Sequence, residues 1–107
     1  MEFLQVIFGF QVVRYAVVDG VLLESVGLLW AAFSPVSGET TLLNDESAAI
    51  LEAVRSGPAD TWSVCCDLAS DAGLSPEALA PAVSAHWGQL LDAGLLRPLL
   101  PEAELKA

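Results

Sequence analysis

Basic residues are the scarcest chemical class in this chain. Its 107 residues include 4 Lys and Arg against 14 Asp and Glu, so the formal net charge is −10 at pH 7. A surface of that charge repels the phosphate backbone of nucleic acids and the headgroups of anionic lipids. The charge balance therefore argues against nucleic acids and membrane surfaces as partners.

Cysteine and histidine are nearly absent as well. The 2 cysteines, Cys65 and Cys66, are adjacent, a spacing at which disulfide geometry is strained. Because there is also only 1 histidine, the chain lacks the donor set of a zinc site, and we expect no cofactor. The composition favours a reduced, cytoplasmic protein whose cysteines are small core residues, the alternative being a redox or metal pair.

The apolar run from Phe3 to Val18 lacks the features of a targeting or membrane-spanning segment. Glu2 stands where a secretory signal carries basic residues, and no small-residue cleavage site follows the run. A spanning helix needs about 20 apolar residues, whereas this run is interrupted by the polar residues Gln5, Gln11 and Arg14. Its β-branched and aromatic content favours strand structure, ending at the Asp19-Gly20 turn. The alternative is that the residues of this run precede the natural start of the folded domain and pack on it only adventitiously.

A strand, a turn and a returning strand follow in the middle of the chain. Leu28 to Phe33 has the bulk of a buried strand, and Thr40 to Leu43 forms the second strand. Pro35 and Ser37-Gly38 between them are turn residues. A hairpin that leads straight into helical sequence is typical of a compact winged-helix-like domain. We expect its second strand to be an edge that can receive a peptide.

Cap and breaker residues predict three helices after the hairpin. Asn44 caps the first helix, over about 45–55, and Asp60-Thr61 begins a second helix that ends at Gly73. The third and longest helix begins at Ser75-Pro76 and reaches Ala93-Gly94. Pro81 leaves two alternatives for this helix, a kink at that residue or a true start there.

Nothing in these helices favours DNA binding or catalysis. The third helix, where a helix-turn-helix domain would read bases, contains no Lys or Arg between Pro76 and Gly94. His86 stands alone on an apolar stripe and is best interpreted as a packed or partly exposed histidine. Ser34, Ser37 and Ser63 lie near no suitable base in sequence. We therefore expect that the protein is not an enzyme.

Three stretches of the chain resemble the PqqD family of peptide chaperones. They are Leu29 to Asn44 (LWAAFSPVSGETTLLN), Ser47 to Leu51 (SAAIL) and Leu90 to Leu96 (LLDAGLL). More narrowly, the motif P-x-S-G-[DE]-T-x-L-L-N is similar to the hairpin of the HPr-rel-A system PqqD family chaperones. This motif is moderately specific, whereas the leucine-rich closing stretch is common to many winged helices.

The resemblance covers roughly residues 21–97 and implies an α+β domain with a winged helix-turn-helix-like fold. In that fold a three-stranded antiparallel sheet is followed by three helices. Residues 1–20 would be an apolar extension that contributes a further N-terminal strand, and residues 98–107 a C-terminal tail. Leu95 to Leu100 is expected to be extended, and Pro98 limits it to an edge or a tail.

In function, the resemblance implies a RiPP recognition element, which is non-catalytic. Such a domain binds the leader of a ribosomally synthesised, post-translationally modified precursor peptide and presents it to a modifying enzyme, here by the subgroup's name an HPr kinase-related protein. The leader adds as a strand beside the third strand and against the third helix. Carried over by position, the peptide-binding residues are Glu39, Thr40, Thr41, Leu42, Leu43 and Asn44 on the strand and Val83, His86, Trp87, Leu90 and Leu91 on the helix.

The apolar surface leaves an alternative function open. Hydrophobic residues make up 54% of the chain and charged residues 17%, so we expect an apolar patch for a partner or a second copy. The alternative is a structural or regulatory adaptor that uses this patch for protein-protein or homo-oligomer contacts. A strand within residues 3–18 could also occupy the leader's edge or be exchanged between the subunits of a homodimer. Trp87 is interpreted equally well as a plain core residue.

Overall fold

The computed structural model describes residues 13–99. Its elements are strands β1 (Arg14–Val17), β2 (Leu22–Val26), β3 (Leu29–Phe33) and β4 (Thr40–Leu43), helices α1 (Asp45–Arg55), α2 (Thr61–Ala72) and α3 (Pro76–Asp92), and strand β5 (Leu96–Leu99). The antiparallel sheet β2-β3-β4 precedes the three helices, and β1 pairs with β5 in a separate two-stranded sheet. The predicted α+β fold, a three-stranded antiparallel sheet followed by three helices with an added N-terminal strand, is confirmed.

The predicted cap residues begin the helices at the expected positions. The side chains of Asn44 and Asp60 each accept a hydrogen bond from the backbone N–H of the third residue after them, at 2.9 Å and 2.8 Å. These bonds satisfy N–H groups that a first helical turn leaves without a partner. α3 begins at Pro76 and continues through Pro81. The alternative of a helix that starts at Pro81 is therefore wrong.

Ser34 fastens the turn between β3 and β4 to the end of α3. Its buried hydroxyl donates to the C=O of Gly94 (2.7 Å) and accepts from the N–H groups of Val36 (3.1 Å) and Ser37 (3.2 Å). Gly94 has a φ of 75°, and a Cβ atom at that residue would lie 2.7 Å from Ser34 Oγ. Both the backbone conformation and the close approach therefore require glycine.

The N-terminal strand β1 pairs with the C-terminal strand β5. Tyr15 bonds through its backbone N–H (2.8 Å) and C=O (3.0 Å) to Ala59, so these groups face away from β5. Pro98, which lies opposite Tyr15 in the register, can therefore lack an N–H without breaking the ladder. The extended segment predicted near the C-terminus is thus a strand, and the described part of the N-terminal extension pairs with it rather than with β4. Residues 1–12 and 100–107 lie outside the described residues.

One hydrophobic core joins the three-stranded sheet to the helices. It contains buried residues from both, including Ala32, Leu43, Ile50, Leu51, Val54, Val64, Cys65, Val83, Trp87, Leu90 and Leu95. Cys65 lies in this core as predicted, whereas Cys66 is half-buried, and both are free thiols. None of the helices in the described part of the chain is both long and apolar enough to cross a membrane.

We expect Ser34→Ala to destabilise the fold. The substitution leaves one C=O and two N–H groups without their partner, which costs about 1–3 kcal/mol. Urea denaturation followed by circular dichroism measures this loss. Ser37→Ala is the matched control, because the Ser37 hydroxyl accepts only from the exposed N–H of Glu39 (3.2 Å), and it should cost less than about 0.5 kcal/mol. An equal loss in both variants would contradict the anchoring role of Ser34.

The two cysteines should differ in reactivity. Burial raises the pKa of the Cys65 thiol, and the neighbouring Cys66 and Asp60 raise it further, so little of the reactive thiolate forms at neutral pH. We expect iodoacetamide to modify Cys66 in the native protein and Cys65 only after unfolding, as read by peptide mass spectrometry. Modification of both thiols at the same rate in the native protein would show that Cys65 is not held in the core.

Candidate functional site

β4 is an edge strand of the three-stranded sheet, because β3 is its only partner strand within the described residues. The hairpin is closed by a bond from the N–H of Ser34 to the C=O of Glu39 (3.0 Å). Along an antiparallel ladder, residue pairs joined by backbone hydrogen bonds alternate with pairs that are not, and Ser34 and Glu39 are a pair of the first kind. Thr40 and Leu42 therefore direct their N–H and C=O groups away from β3. In the described part of the chain these groups form no backbone bond to another element.

Two contacts hold α3 beside this edge. At the hairpin turn, Ser34 bonds Gly94, just after the end of α3. At the other end of β4, the first turn of α1 meets α3 through Ser47, whose Oγ lies 3.1 Å from His86 Nδ1 and 3.4 Å from Gln89 Oε1. β4 itself packs on α1. The two ends of β4 are consequently tied to the C-terminal half of α3.

The strand residues of the predicted site are mostly accessible. Leu42 is 58% exposed, whereas Leu43 is 1% exposed and belongs to the core. Asn44 is engaged as the cap of α1. The other positions are Glu39 and Thr40, both exposed, and Thr41, which is half-buried.

The helix residues of the predicted site lie mostly in the core. Val83, Trp87 and Leu90 are buried. The indole N–H of Trp87 donates to Thr61 Oγ1 (2.8 Å), and its ring stacks on Tyr15 with centroids 4.2 Å apart. These partners lie on α2 and β1, so the interpretation of Trp87 as a core residue is confirmed.

His86 and Leu91 are the two half-buried members of the predicted helix set. They lie on the half of α3 that the two contacts tie to the ends of β4. Of the eleven positions carried over by resemblance, most of the strand positions and these two helix positions are thus accessible. Val83, Trp87 and Leu90 support α3 from the core side.

His86 is the centre of a polar cluster that sequence reasoning missed. Its Nε2 lies 3.0 Å from Glu46 Oε1, and its Nδ1 lies 3.1 Å from Ser47 Oγ. An ionised carboxylate only accepts, so in the neutral imidazole the proton is on Nε2 and Ser47 donates to Nδ1. In the protonated imidazole, Nδ1 donates to Ser47, whose hydroxyl then donates to Gln89. Both ring nitrogens of His86 therefore have hydrogen-bond partners whether the imidazole is neutral or protonated.

This cluster has the residue types of a hydrolytic triad without its geometry. In such triads the serine hydroxyl meets Nε2 and the carboxylate meets Nδ1, whereas the two contacts are exchanged at His86. Ser47 is also 1% exposed, so a substrate cannot reach its hydroxyl. The arrangement is suited to bridging α1 and α3. Among residues 13–99, no group of His, Cys, Asp and Glu side chains could hold a metal ion.

The surroundings of β4 carry negative charge. Glu39 precedes the strand, and Asp45 and Glu46 follow it, with Asp45 accepting a hydrogen bond from the indole N–H of Trp30 (2.9 Å). The sequence has no Lys or Arg from residue 15 to residue 54. An acidic peptide would therefore be repelled from this edge.

A separate cleft of about 500 Å³ lies between α1 and α2. Its lining includes the acidic residues Glu52, Asp67 and Asp71. None of the predicted peptide-binding residues lines it, so it is distinct from the β4 edge.

Comparison of the chain with protein-family models, curated proteins and solved structures finds no significant match. The resemblance to the PqqD family therefore rests on the motifs within the chain. The activity of that family is accordingly a hypothesis for this protein.

The structure predicts the tautomer of His86. In the neutral imidazole, nitrogen NMR should find the proton on Nε2, because Glu46 can only accept there and Ser47 can donate to Nδ1. Ser47→Ala should leave the proton on Nε2 and shift the Nδ1 resonance as its donor is lost. A neutral imidazole with its proton on Nδ1 would contradict the cluster.

Proposed function

We propose that this protein is a non-catalytic, cytoplasmic peptide-binding module. It binds the leader of a ribosomally synthesised, post-translationally modified precursor peptide and presents that peptide to a modifying enzyme. The observation that carries the proposal is the open edge of β4, whose two ends are tied to α3 by the Ser34–Gly94 and Ser47–His86 contacts.

Strand addition supplies affinity through backbone hydrogen bonds. The outward N–H and C=O groups of Thr40 and Leu42 are the groups that an added strand would bond. Leu42, which is 58% exposed, and the half-buried Leu91 offer apolar surface to its side chains. An extended peptide with apolar side chains and few acidic ones fits this edge best, given the negative charge around it.

The buried helix residues shape this site from behind. Val83, Trp87 and Leu90 pack inside the core and fix the position of α3. Replacing any of them with a charged residue would unfold the domain rather than test peptide contact. Informative substitutions therefore lie on the exposed edge strand.

The resemblance to the HPr-rel-A subgroup supports an HPr kinase-related protein as the modifying enzyme. In this proposal the enzyme provides the catalytic groups. The protein contributes by raising the local concentration of the precursor peptide and fixing its orientation.

We expect Leu42→Pro to weaken peptide binding about tenfold or more relative to Leu42→Ala. Proline removes an N–H that an added strand would bond, worth about 1–1.5 kcal/mol, and its ring crowds the incoming backbone. Fluorescence polarisation of the full-length protein with labelled leader segments of short peptides encoded beside its gene measures the affinity. Both variants retain the β3–β4 ladder, because proline is tolerated where an edge-strand N–H faces outward.

Ser25→Pro provides a matched control on the opposite edge of the sheet. Ser25 also faces its N–H outward, because its neighbours Glu24 and Val26 occupy the bonded positions opposite β3. This variant should bind peptide as the unsubstituted protein does. Absence of saturable binding to any leader segment would overturn the proposed function. Equal affinities of the Leu42→Pro and Leu42→Ala proteins would show that the peptide binds elsewhere.

A further inference from the structure

Four of the eight exposed large hydrophobic side chains in residues 13–99 lie on one face of the three-stranded sheet. The register of β2, β3 and β4, with the alternation of side chains along each strand, defines the face of the sheet turned away from the helices. We name this the outer sheet face. It consists of Leu22, Glu24, Val26, Leu29, Ala31, Phe33, Thr40 and Leu42.

The outer sheet face is unusually apolar for a surface in contact with water. Leu22 is 65% exposed, Val26 52% and Leu42 58%, and Leu28 in the turn between β2 and β3 is 93% exposed. The opposite face, which the helices cover, contains Ala32 at 0% and Leu43 at 1%. A contiguous apolar surface of this kind is typical of an interaction site, unlike apolar side chains scattered singly.

We propose that the outer sheet face packs against the same face of a second copy of this chain and forms a weak, reversible homodimer. Two sheets packed in this way stack about 10 Å apart, with side chains of the two faces in contact. A two-fold axis parallel to the strands and lying between the sheets sets β2 of one copy opposite β4 of the other. This contact goes beyond the proposed peptide binding and leaves the backbone edge of β4 open.

Charge on the outer sheet face favours a second copy as the occupant. Glu24 is the only ionisable residue of the face, and β2 is an edge strand, so the carboxylate can turn to the rim. In the two-fold arrangement Glu24 lies opposite β4 of the other copy rather than opposite the second Glu24. The other side chains of the outer sheet face carry no charge, so a partner needs no cation to pair with them. The identical apolar face of a second copy therefore matches them.

The size of the face sets the strength of the contact. Three strands about 4.8 Å apart and five residues at about 3.4 Å each span about 14 Å by 17 Å, so each copy contributes about 240 Å². Stable complexes bury about 800 Å² per partner. The dimer should therefore be weak and transient.

Sedimentation velocity of the full-length protein over a wide range of protein concentrations tests the proposal. The weight-average mass should rise from that of a monomer towards that of a dimer. Each copy carries a net charge of −10, so raising the salt from about 0.1 M to about 1 M, which shortens the Debye length from about 10 Å to about 3 Å, should strengthen association. Binding to a basic partner would respond to salt in the opposite direction.

Matched variants locate the contact. Leu22→Gln should weaken dimerisation at least fivefold. Leu74→Gln removes a leucine of similar exposure, 53% against 65% at Leu22, outside the outer sheet face and should leave dimerisation unchanged. Glu24→Gln should strengthen dimerisation at about 0.1 M salt and reduce its salt dependence.

Three outcomes would overturn the proposal. A monomer at every concentration and salt would show that no second copy binds. Equal association of the Leu22→Gln and unsubstituted proteins would place the contact on another surface. Association that weakens as salt rises would show that charge attraction, rather than apolar packing, joins the copies.

Discussion

The hydrogen bond from the Ser34 hydroxyl to the C=O of Gly94 is the contact on which the candidate site most depends. It joins the turn that begins β4 to the residues that end α3, and it does so through a buried side chain with three bonds. Gly94 is required because a Cβ atom there would occupy the position of the hydroxyl. Without this contact, β4 and α3 would be joined only by the bridge from Ser47 to His86 and by the core that contains Leu43 and Leu90.

The two open surfaces of the three-stranded sheet have different chemistry and support different proposals. The edge of β4 offers backbone groups and is bordered by Glu39, Asp45 and Glu46, so it suits an extended peptide that is not acidic. The outer sheet face offers apolar side chains with a single carboxylate, so it suits another apolar face. The peptide would bond the backbone edge of β4, and the second copy would pack on the side chains of the outer sheet face, with Leu42 belonging to both surfaces.

Local features of the structure were predictable from the sequence, because caps and turns are set by residues close together in the chain. Asn44, Asp60 and Pro76 mark the helix starts, and Thr40 to Leu43 returns as a strand. Contacts between distant segments were not predictable in this way. The pairing of β1 with β5 and the cluster around His86 join residues about 40 or more positions apart, and no local pattern specifies which elements meet. Helical spacing identified Val83, Trp87 and Leu90 as one apolar stripe, but it could not show that the core, rather than a peptide, covers that stripe.

Amide hydrogen exchange by NMR, in the free protein and at saturating leader peptide, tests the central claim most directly. The account predicts that the Thr40 and Leu42 amides exchange rapidly in the free protein, because they face outward, and slowly in the complex, because an added strand bonds them. The Thr41 and Leu43 amides, already bonded to β3, should be protected in both states. Rapid exchange at Thr40 and Leu42 with the peptide fully bound would contradict strand addition at β4.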